Sequence, residues 1–209
     1  MECFRAGASV ILNCRRSVQQ ARQVASEIIR QGGSAEVLAA DVSSPQDRER
    51  LVQQVCAGGI PDALVNSAGA DTLTTELRQA TFSEKLTALL RTDVEGTIEL
   101  SRTLGVRMRE AGRGVILTIG WDQSDRGMEG DSGELFAAAK NAVMGFSRSL
   151  ALSLAPAVRV NCIAPGWTRT AWGETASDYW QQRVLRETPL QRDRKSTRLN
   201  SSHVALSRM

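Results

Sequence analysis

The residues that could carry chemistry in this sequence gather where predicted strands end and where a long helix begins. The dipeptide DV at 41–42 closes one strand-like run, NSAG at 66–69 follows another, and RVNCIAPG at 159–166 carries a third into a turn. The pentapeptide FAAAK at 136–140 opens a helical region. Phe136 and Lys140 therefore stand at i and i+4 on one helix face, where both side chains can reach the same bound molecule.

Composition excludes several kinds of site. The single histidine, His203, gives a histidine-based metal site or a Ser-His-Asp triad almost nothing to work with. The cysteines form no CxxC pair, which predicts buried thiols in a reducing, cytoplasmic environment. They are Cys3, Cys14, Cys56 and Cys162. No apolar run reaches the roughly 20 residues of a membrane span, and no export signal is recognisable at the start.

The last stretch of the sequence is foreign in character. Residues 193–203 read DRKSTRLNSSH, a peptide that a common library adapter encodes, so residues 193–209 are interpreted as adapter read-through. The chain holds 26 basic and 23 acidic residues; the tail contains four of the former and one of the latter, which leaves 22 of each. A net charge of zero gives no indication of nucleic-acid or membrane binding.

Apolar periodicity predicts alternating strands and helices along residues 1–192. The predicted strands cover residues 8–13, 35–40, 62–66, 114–119 and 158–163. The predicted helices cover 17–30 with Ser17 as N-cap, a segment starting at Ser44 and Pro45, 83–111, and 135–154. Repeated β-α units of this spacing predict one α/β domain with a doubly wound parallel sheet and right-handed crossovers.

One expected feature is missing from the start of this sheet. A dinucleotide-binding sheet opens with a strand, a glycine-rich turn and a helix whose N-terminus meets the pyrophosphate. Neither GxxxGxG nor GxGxxG occurs near residue 1, and residues 1–6 are typical of the last turn of that first helix. The sheet is therefore predicted to lack its first strand, and its last strand is predicted to lie beyond Arg192.

Taken in order, the four motifs resemble the short-chain dehydrogenase/reductase family, and within it the 3-oxoacyl-carrier-protein reductases and glucose-dehydrogenase-like members. The resemblance covers about residues 2–192. It implies a Rossmann-like sheet of strand order 3-2-1-4-5-6-7, an NAD(P) cofactor and a small carbonyl or alcohol substrate. It also implies that the intact parent is a homodimer or homotetramer, packed through two long helices with small residues on their faces. Those on the second helix are Ala137, Ala138, Ala139, Ala142 and Gly145.

The same resemblance assigns the adenosine end of the cofactor. Asn66, Ala68 and Gly69 are similar to the Asn-Asn-Ala-Gly turn that lines adenosine and steadies the sheet, with Ser67 in place of the second Asn. Asp41 is similar to the residue whose side chain meets adenine.

The nicotinamide and ribose contacts follow in the same way. Pro165, Gly166 and Thr170 resemble the turn that holds the nicotinamide carboxamide. Arg15 and Arg16 follow the first predicted strand, where NAD-preferring members usually place an acid. Because a guanidinium forks onto phosphate oxygens, the two arginines favour NADP(H) over NAD(H); the alternative is a solvated charge pair at a helix start.

The catalytic positions depart from the family's pattern. In Tyr-x-x-x-Lys the ammonium lowers the pKa of the phenol, which exchanges a proton with the substrate oxygen. Phe136 takes the phenol's place with no proton to give, and only Lys140, also a cofactor contact, matches cleanly. Ser124 is near the position of the serine that polarises the carbonyl, although Gln123 lies closer to it. Asp93 aligns with the family's helix-breaking Asn.

Several other polar and aromatic residues each have two possible roles. Asp122, Asp131 or Glu134 could replace the missing acid, or they are solvated loop residues or helix caps. Tryptophans of the second half could line an apolar pocket, or they pack a lid onto the core. These are Trp121, Trp167, Trp172 and Trp180.

Three functions remain open at this point. The chain is part of an NAD(P)-dependent oxidoreductase, a pseudoenzyme that keeps only nucleotide or partner binding, or the product of a non-functional gene fragment. Restoring the phenol with Phe136→Tyr separates the first two, because it should raise the turnover of a weakened reductase by orders of magnitude. The 209-residue chain itself is expected to be unstable and inactive, since strands beside the missing one lose their ladder partners.

Overall fold

Strands and helices alternate along the chain, as the periodicity predicts. The computed structural model describes residues 5–73, 75–166, 168–169, 178–187 and 194–195. Its strands are β1 (Val10–Cys14), β2 (Ala35–Ala39), β3 (Ala63–Asn66), β4 (Gly114–Ile119), β5 (Val158–Ile163), β6 (Thr168–Arg169) and β7 (Arg194–Lys195). Its α-helices are α1 (Val18–Arg30), α2 (Pro45–Ala57), α3 (Phe82–Leu89), α4 (Gly96–Glu110), α5 (Asp131–Leu154) and α6 (Asp178–Glu187). A 3₁₀ turn covers Glu76–Gln79 and a π-helical segment covers Leu90–Glu95.

The sheet is parallel but divided. β1 pairs with β2, with Val10 opposite Ala35, while β3, β4 and β5 form a separate three-stranded sheet in that order. Within the described part of the chain, the second edges of β1 and β3 have no paired strand. The parallel α/β fold is confirmed, and so is the gap at the place of the predicted missing strand.

Side chains beside the gap are unusually exposed for a parallel sheet. Ile11 on β1 is 41% exposed and Val65 on β3 is 52% exposed. Strands inside parallel sheets are ordinarily buried on both faces. In contrast, Ile116 on β4, which has a strand on each side, is fully buried.

Two apolar clusters hold the halves of the domain together. One joins the end of β2 to α2 and α4 across the divided side. Its members are Leu38, Ala40, Val42, Leu51, Val52, Leu100 and Leu104. The other packs α4 and α5 against β4 and β5. Its members are Met108, Ile116, Leu150, Leu154, Val158 and Val160.

Helix starts follow the predicted capping residues only in part. The Ser44 hydroxyl accepts a hydrogen bond from the Asp47 backbone N–H at 3.3 Å, so α2 begins as predicted with Pro45 in its first turn. Ser17 occupies the N-cap position of α1, but its side chain makes no capping hydrogen bond. The second long helix begins at Asp131 rather than at residue 135.

The prediction of a long helical region over about residues 83–111 is confirmed, but the helix is not uniform. The segment is an α-helix, a π-helical turn over Leu90–Glu95 and a second α-helix. Thr81 starts it with a capping box, its hydroxyl accepting from the backbone N–H of Glu84. The interruption shapes the candidate site described below.

The cysteines, the search for membrane spans and the C-terminal tail can each be compared with the predictions. The Cys162 thiol is buried as predicted, whereas Cys14 and Cys56 are only half-buried; Cys3 lies outside the described residues. Among the described helices, none is long and apolar enough to cross a membrane. Within the proposed adapter tail, Arg194–Lys195 pairs with Thr168–Arg169 over two residues, and the origin of residues 193–209 stays a prediction.

Candidate active site

Lys140 forms an ion pair with the buried side chain of Asp93. The distance from Lys140 Nζ to Asp93 Oδ2 is 2.9 Å, and the two side chains are 14% and 1% exposed. The other carboxylate oxygen, Oδ1, accepts the backbone N–H of Ala70 at 2.8 Å. Asp93 therefore ties α5 to the turn that follows β3, and so joins two of the motifs found in the sequence.

Asp93 reaches this position from within the π-helical segment Leu90–Glu95. Such wide turns are rare inside α-helices and are often found at functional sites. Glycines make room on both sides of it. An ideal Cβ on Gly69 would lie 3.0 Å from Asp93 Oδ2, and one on Gly96 would lie 2.9 Å from the Val42 carbonyl oxygen.

A second buried cation holds the end of the same segment. Arg48 donates hydrogen bonds of 2.7 Å to the Val42 carbonyl and to Glu95 Oε1. Two acidic residues two positions apart, Asp93 and Glu95, thus hold two different cations. Only the pair made by Asp93 contains a residue of the predicted catalytic set.

Phe136 lies one turn before Lys140 on α5 and is half-buried. It packs against the cluster of Leu89, Leu135 and Ala139. Its ring meets Trp121 edge-on, with ring centroids 6.4 Å apart and planes at 67°. A phenyl ring in this apolar setting offers packing surface and no exchangeable proton.

Ser124 lies in the loop after β4 and is buried. Its backbone carbonyl accepts a hydrogen bond of 2.8 Å from Asn141 Nδ2, next to Lys140 on α5. Its hydroxyl has no hydrogen-bond partner among the described residues. The structure therefore brings Asp93 and Lys140 into contact, and attaches Ser124 to the same helix through Asn141.

The predicted nicotinamide turn lies beside Asp122. The Asp122 backbone N–H donates to the Pro165 carbonyl at 3.3 Å. An ideal Cβ on Gly166 would lie 2.6 Å from Asp122 Oδ2, so the glycine lets the carboxylate approach this turn. Thr170 lies outside the described residues.

The remaining acidic and tryptophan candidates lie in different environments. Asp131 and Glu134 are exposed in the first turn of α5, where acidic side chains interact favourably with the helix dipole. Trp121 packs on Phe136, and the Trp180 ring lies 5.3 Å from the guanidinium carbon of Arg183. Trp167 and Trp172 lie outside the described residues.

The turn after β3 is anchored by its first residue. Asn66 is buried, and its Nδ2 donates to the hydroxyl of Ser101 at 2.9 Å. Ser67, Ala68 and Gly69 are exposed. The turn after β3 is therefore anchored by Asn66, and its next three residues are accessible to a ligand.

The two predicted phosphate-binding arginines are each held by a carboxylate. Arg15 Nη1 lies 3.6 Å from Asp41 Oδ2, and Arg16 Nη1 lies 2.6 Å from Glu76 Oε1. Burial alone would raise the pKa of Asp41, but hydrogen bonds from Ser43 and the charge of Arg15 outweigh it, and the pKa is lowered. The hydrogen bond with Glu76 raises the pKa of Arg16, and the same contact lowers the pKa of Glu76.

These residues fit part of a dinucleotide. Arg15 and Arg16 carry the charge and the donors that a 2′-phosphate requires, whereas the carboxylates of Asp93 and Asp122 fill the space beside Gly69 and Gly166. The 209 residues contain no glycine-rich turn for the pyrophosphate near the first strand. The described residues contain no cluster of side chains suited to a metal ion.

The direct contact between Lys140 and Asp93 is the feature that sequence reasoning missed. Each residue was singled out, but they lie 47 positions apart in the sequence. An acid at the expected Asn position was the available signal, because a buried carboxylate requires a cation or hydrogen-bond donors nearby.

Comparisons with known proteins point in one direction. Residues 1–179 match the family model described as short chain dehydrogenase. The chain is 31% identical over 169 residues to the 3-oxoacyl-[acyl-carrier-protein] reductase FabG of Aggregatibacter actinomycetemcomitans, covering 78% of this chain and 66% of that protein. It is 32% identical over 172 residues to carbonyl reductase family member 4 of Xenopus laevis, covering 81% and 70%.

A solved structure gives the same result. The fold is similar, with a TM-score of 0.76 and 31% identity, to a protein of Beutenbergia cavernae described as an NAD(P)-dependent gluconate 5-dehydrogenase with bound NADP. The match covers 91% of this chain and 76% of that one. The chain thus spans about two thirds to three quarters of the length of these relatives.

Proposed function

The chain belongs to the short-chain dehydrogenase/reductase family, and on this premise we propose that it is part of an NAD(P)-dependent oxidoreductase that interconverts a carbonyl compound and an alcohol. One observation carries the proposal most directly. Asp93 joins Lys140, on the predicted catalytic face of α5, to Ala70 in the turn predicted to line the cofactor. Helix face and turn therefore lie at one edge of the sheet, where doubly wound folds bind their ligands.

Each residue of this site has a proposed task. A bound nicotinamide would supply or accept the hydride. The Pro165–Gly166 turn would orient its carboxamide, and the Ser124 hydroxyl would donate a hydrogen bond to the substrate oxygen. The rings of Phe136 and Trp121 pack edge to face and present apolar surface, and Phe136 has no proton to exchange. Proton transfer is therefore the step at which this chain is deficient.

The cofactor is proposed to be NADP(H) rather than NAD(H), because two arginines follow β1. Replacing Arg15 and Arg16 with Gln should weaken NADPH binding about 10- to 100-fold, the effect of losing hydrogen bonds to a charged group, and should leave NADH binding unchanged. The complete gene product should be titrated with both cofactors. Arg113→Gln, which removes an exposed arginine paired with Asp62, is the control. Equal losses for NADPH and NADH would contradict the assignment.

A pseudoenzyme is the second candidate, and Phe136 favours it. The test is turnover of a panel of carbonyl substrates by the complete gene product and by variants that carry Phe136→Tyr. An oxidoreductase weakened only at its proton donor should gain about 100-fold or more in some variant of this set. If no substrate is turned over by any of them, nucleotide or partner binding becomes the better proposal.

A non-functional gene fragment is the third candidate, and the divided sheet favours it. Among the described residues the strand edges beside the gap lack ladder hydrogen bonds, and the exposed Ile11 and Val65 lose part of the apolar burial on which a domain stability of roughly 5–15 kcal/mol depends. We expect calorimetry on the 209-residue chain to detect no micromolar NADPH binding; micromolar affinity would refute this expectation. Resequencing the locus through both ends of the reading frame tests this candidate and the adapter origin of residues 193–209.

The intact parent is proposed to form a homodimer or homotetramer through α4 and α5. Ala138 and Ala142 are exposed on α5, and an ideal Cβ on Gly145 would meet nothing within 4 Å. Such a face of small residues allows another helix to approach closely. Light scattering on the complete gene product measures the assembly state, and a monomer at micromolar concentration would contradict the proposal.

A further inference from the structure

The ion pair between Asp93 and Lys140 determines how much Lys140 could assist a phenol at position 136. Lys140 is held at 2.9 Å by a carboxylate that is 1% exposed. That carboxylate accepts a hydrogen bond from the Ala70 N–H at 2.8 Å and occupies the space that Gly69 leaves open. Because the two opposite charges lie 2.9 Å apart, each offsets part of the other's field at neighbouring groups.

The surroundings of Lys140 explain why such a partner is needed. Phe136 lies on the preceding turn of α5 and packs against the apolar cluster of Leu89, Leu135 and Ala139. None of these side chains can accept a hydrogen bond from an ammonium group. A largely buried cation in this setting requires an anion or several acceptors.

We propose that Asp93 is a positioning residue that serves as the resident counter-ion of Lys140, so that position 136 and position 93 form one coupled pair in this lineage. The contact with Asp93 holds the ammonium near the turn after β3, where the carboxylate offsets its charge. A phenol returned at position 136 gains little electrostatic help from Lys140. Phe136→Tyr alone therefore restores little proton transfer, and Phe136→Tyr with Asp93→Asn restores most of it.

The inference rests on the proposed function for its catalytic consequence, but its physical core can be measured without turnover. The chain contains one tyrosine, Tyr179. In a Tyr179→Phe background, a phenol introduced by Phe136→Tyr is the only one present. Its ionisation can be followed by phenolate absorbance, in a stabilising osmolyte that favours the folded chain.

The decisive comparison is the ionisation midpoint of the introduced phenol with and without Asp93→Asn. We expect the second change to lower that midpoint by about one pKa unit or more, the usual effect of an uncompensated nearby cation. Adding Lys140→Met should abolish the lowering, which a merely structural effect of Asp93→Asn would not do. Glu95→Gln is the matched control, since Glu95 lies two positions away and pairs with Arg48.

Three outcomes would overturn the inference. One is an equal midpoint with and without Asp93→Asn, and another is a lowering of the same size from Glu95→Gln. The third is a lowering that persists after Lys140→Met is added, which would mean that Lys140 is not its source. In the complete gene product, we expect turnover at least about tenfold higher with both substitutions than with Phe136→Tyr alone. Absence of turnover in every variant would count against the proposed function and leave the titration result standing.

Discussion

Removing one partner of the Asp93–Lys140 pair should destabilise the chain far more than removing both. Lys140→Met leaves a carboxylate that is 1% exposed without its cation and with the Ala70 N–H as its remaining described donor. Breaking a buried pair in this way costs about 3–5 kcal/mol. For a domain of this size, each kcal/mol lowers Tm by roughly 2–4 °C, so Tm should fall by about 6–20 °C.

The other two variants complete a double-mutant cycle. Asp93→Asn keeps an oxygen that can accept the Ala70 N–H, and it leaves Lys140 14% exposed, so water can partly solvate the ammonium. This variant should therefore lose about 1–3 kcal/mol of stability. The double variant loses both charges and should lie within about 1 kcal/mol of the parent, because a buried pair contributes little net stability.

Thermal unfolding followed by circular dichroism, at one osmolyte concentration throughout, measures all four Tm values. Asp62→Asn is the control, since Asp62 forms an exposed ion pair with Arg113 and its loss should leave Tm unchanged. Additive losses in the double variant, or a Tm for Lys140→Met within a degree of the parent, would refute the assignment of a buried coupled pair.

Three further predictions concern packing, acid stability and the divided sheet. Gly133→Ala should lower the free energy of unfolding by about 1–3 kcal/mol, because its Cβ would lie 2.1 Å from the Met128 carbonyl oxygen. Gly145→Ala on the same helix should raise it by about 0.5–1 kcal/mol, and urea unfolding measures both changes. Asp41 has a folded pKa below its ordinary 3.8, so its stabilisation is complete above that value and is lost as pH falls through the lower one. Asp41→Asn should flatten the dependence of Tm on pH below about 4, and an unchanged slope would count against this. Val65→Thr should shift Tm by less than about 2 °C because Val65 is 52% exposed; a larger fall would show that the gap is filled.

Much of the fold was predictable because local pattern and tertiary environment agree. β4 and β5 match the predicted residues 114–119 and 158–163, since β4 is a nearly continuous apolar run and β5 buries its alternate residues Val158, Val160 and Cys162. The Ser44–Pro45 helix start was predictable for the same kind of reason, because capping is local chemistry. The absence of a glycine-rich motif also predicted the place where the sheet divides.

The candidate site was less accessible to sequence reasoning because its contacts are long-range. The resemblance placed a helix-breaking position at Asp93, but apolar periodicity did not indicate the π-helical turn, beside which Gly96 packs on Val42 and Arg48 binds the Val42 carbonyl. The same holds for Asp122, whose approach to Gly166 depends on two loops meeting. Residue types identified the participants, and only the tertiary structure showed which of them touch.

The division between β1 and β3 has a consequence beyond the stability of one molecule. Among the described residues, each of these strands has one edge with no paired strand, and each carries an exposed apolar side chain, Ile11 or Val65. Exposed edges of this kind are templates for strands from other molecules. We therefore expect this polypeptide, when concentrated, to self-associate through its strands and to be retained by chaperones in the cell. Such aggregation would limit its abundance before any loss of catalysis could matter.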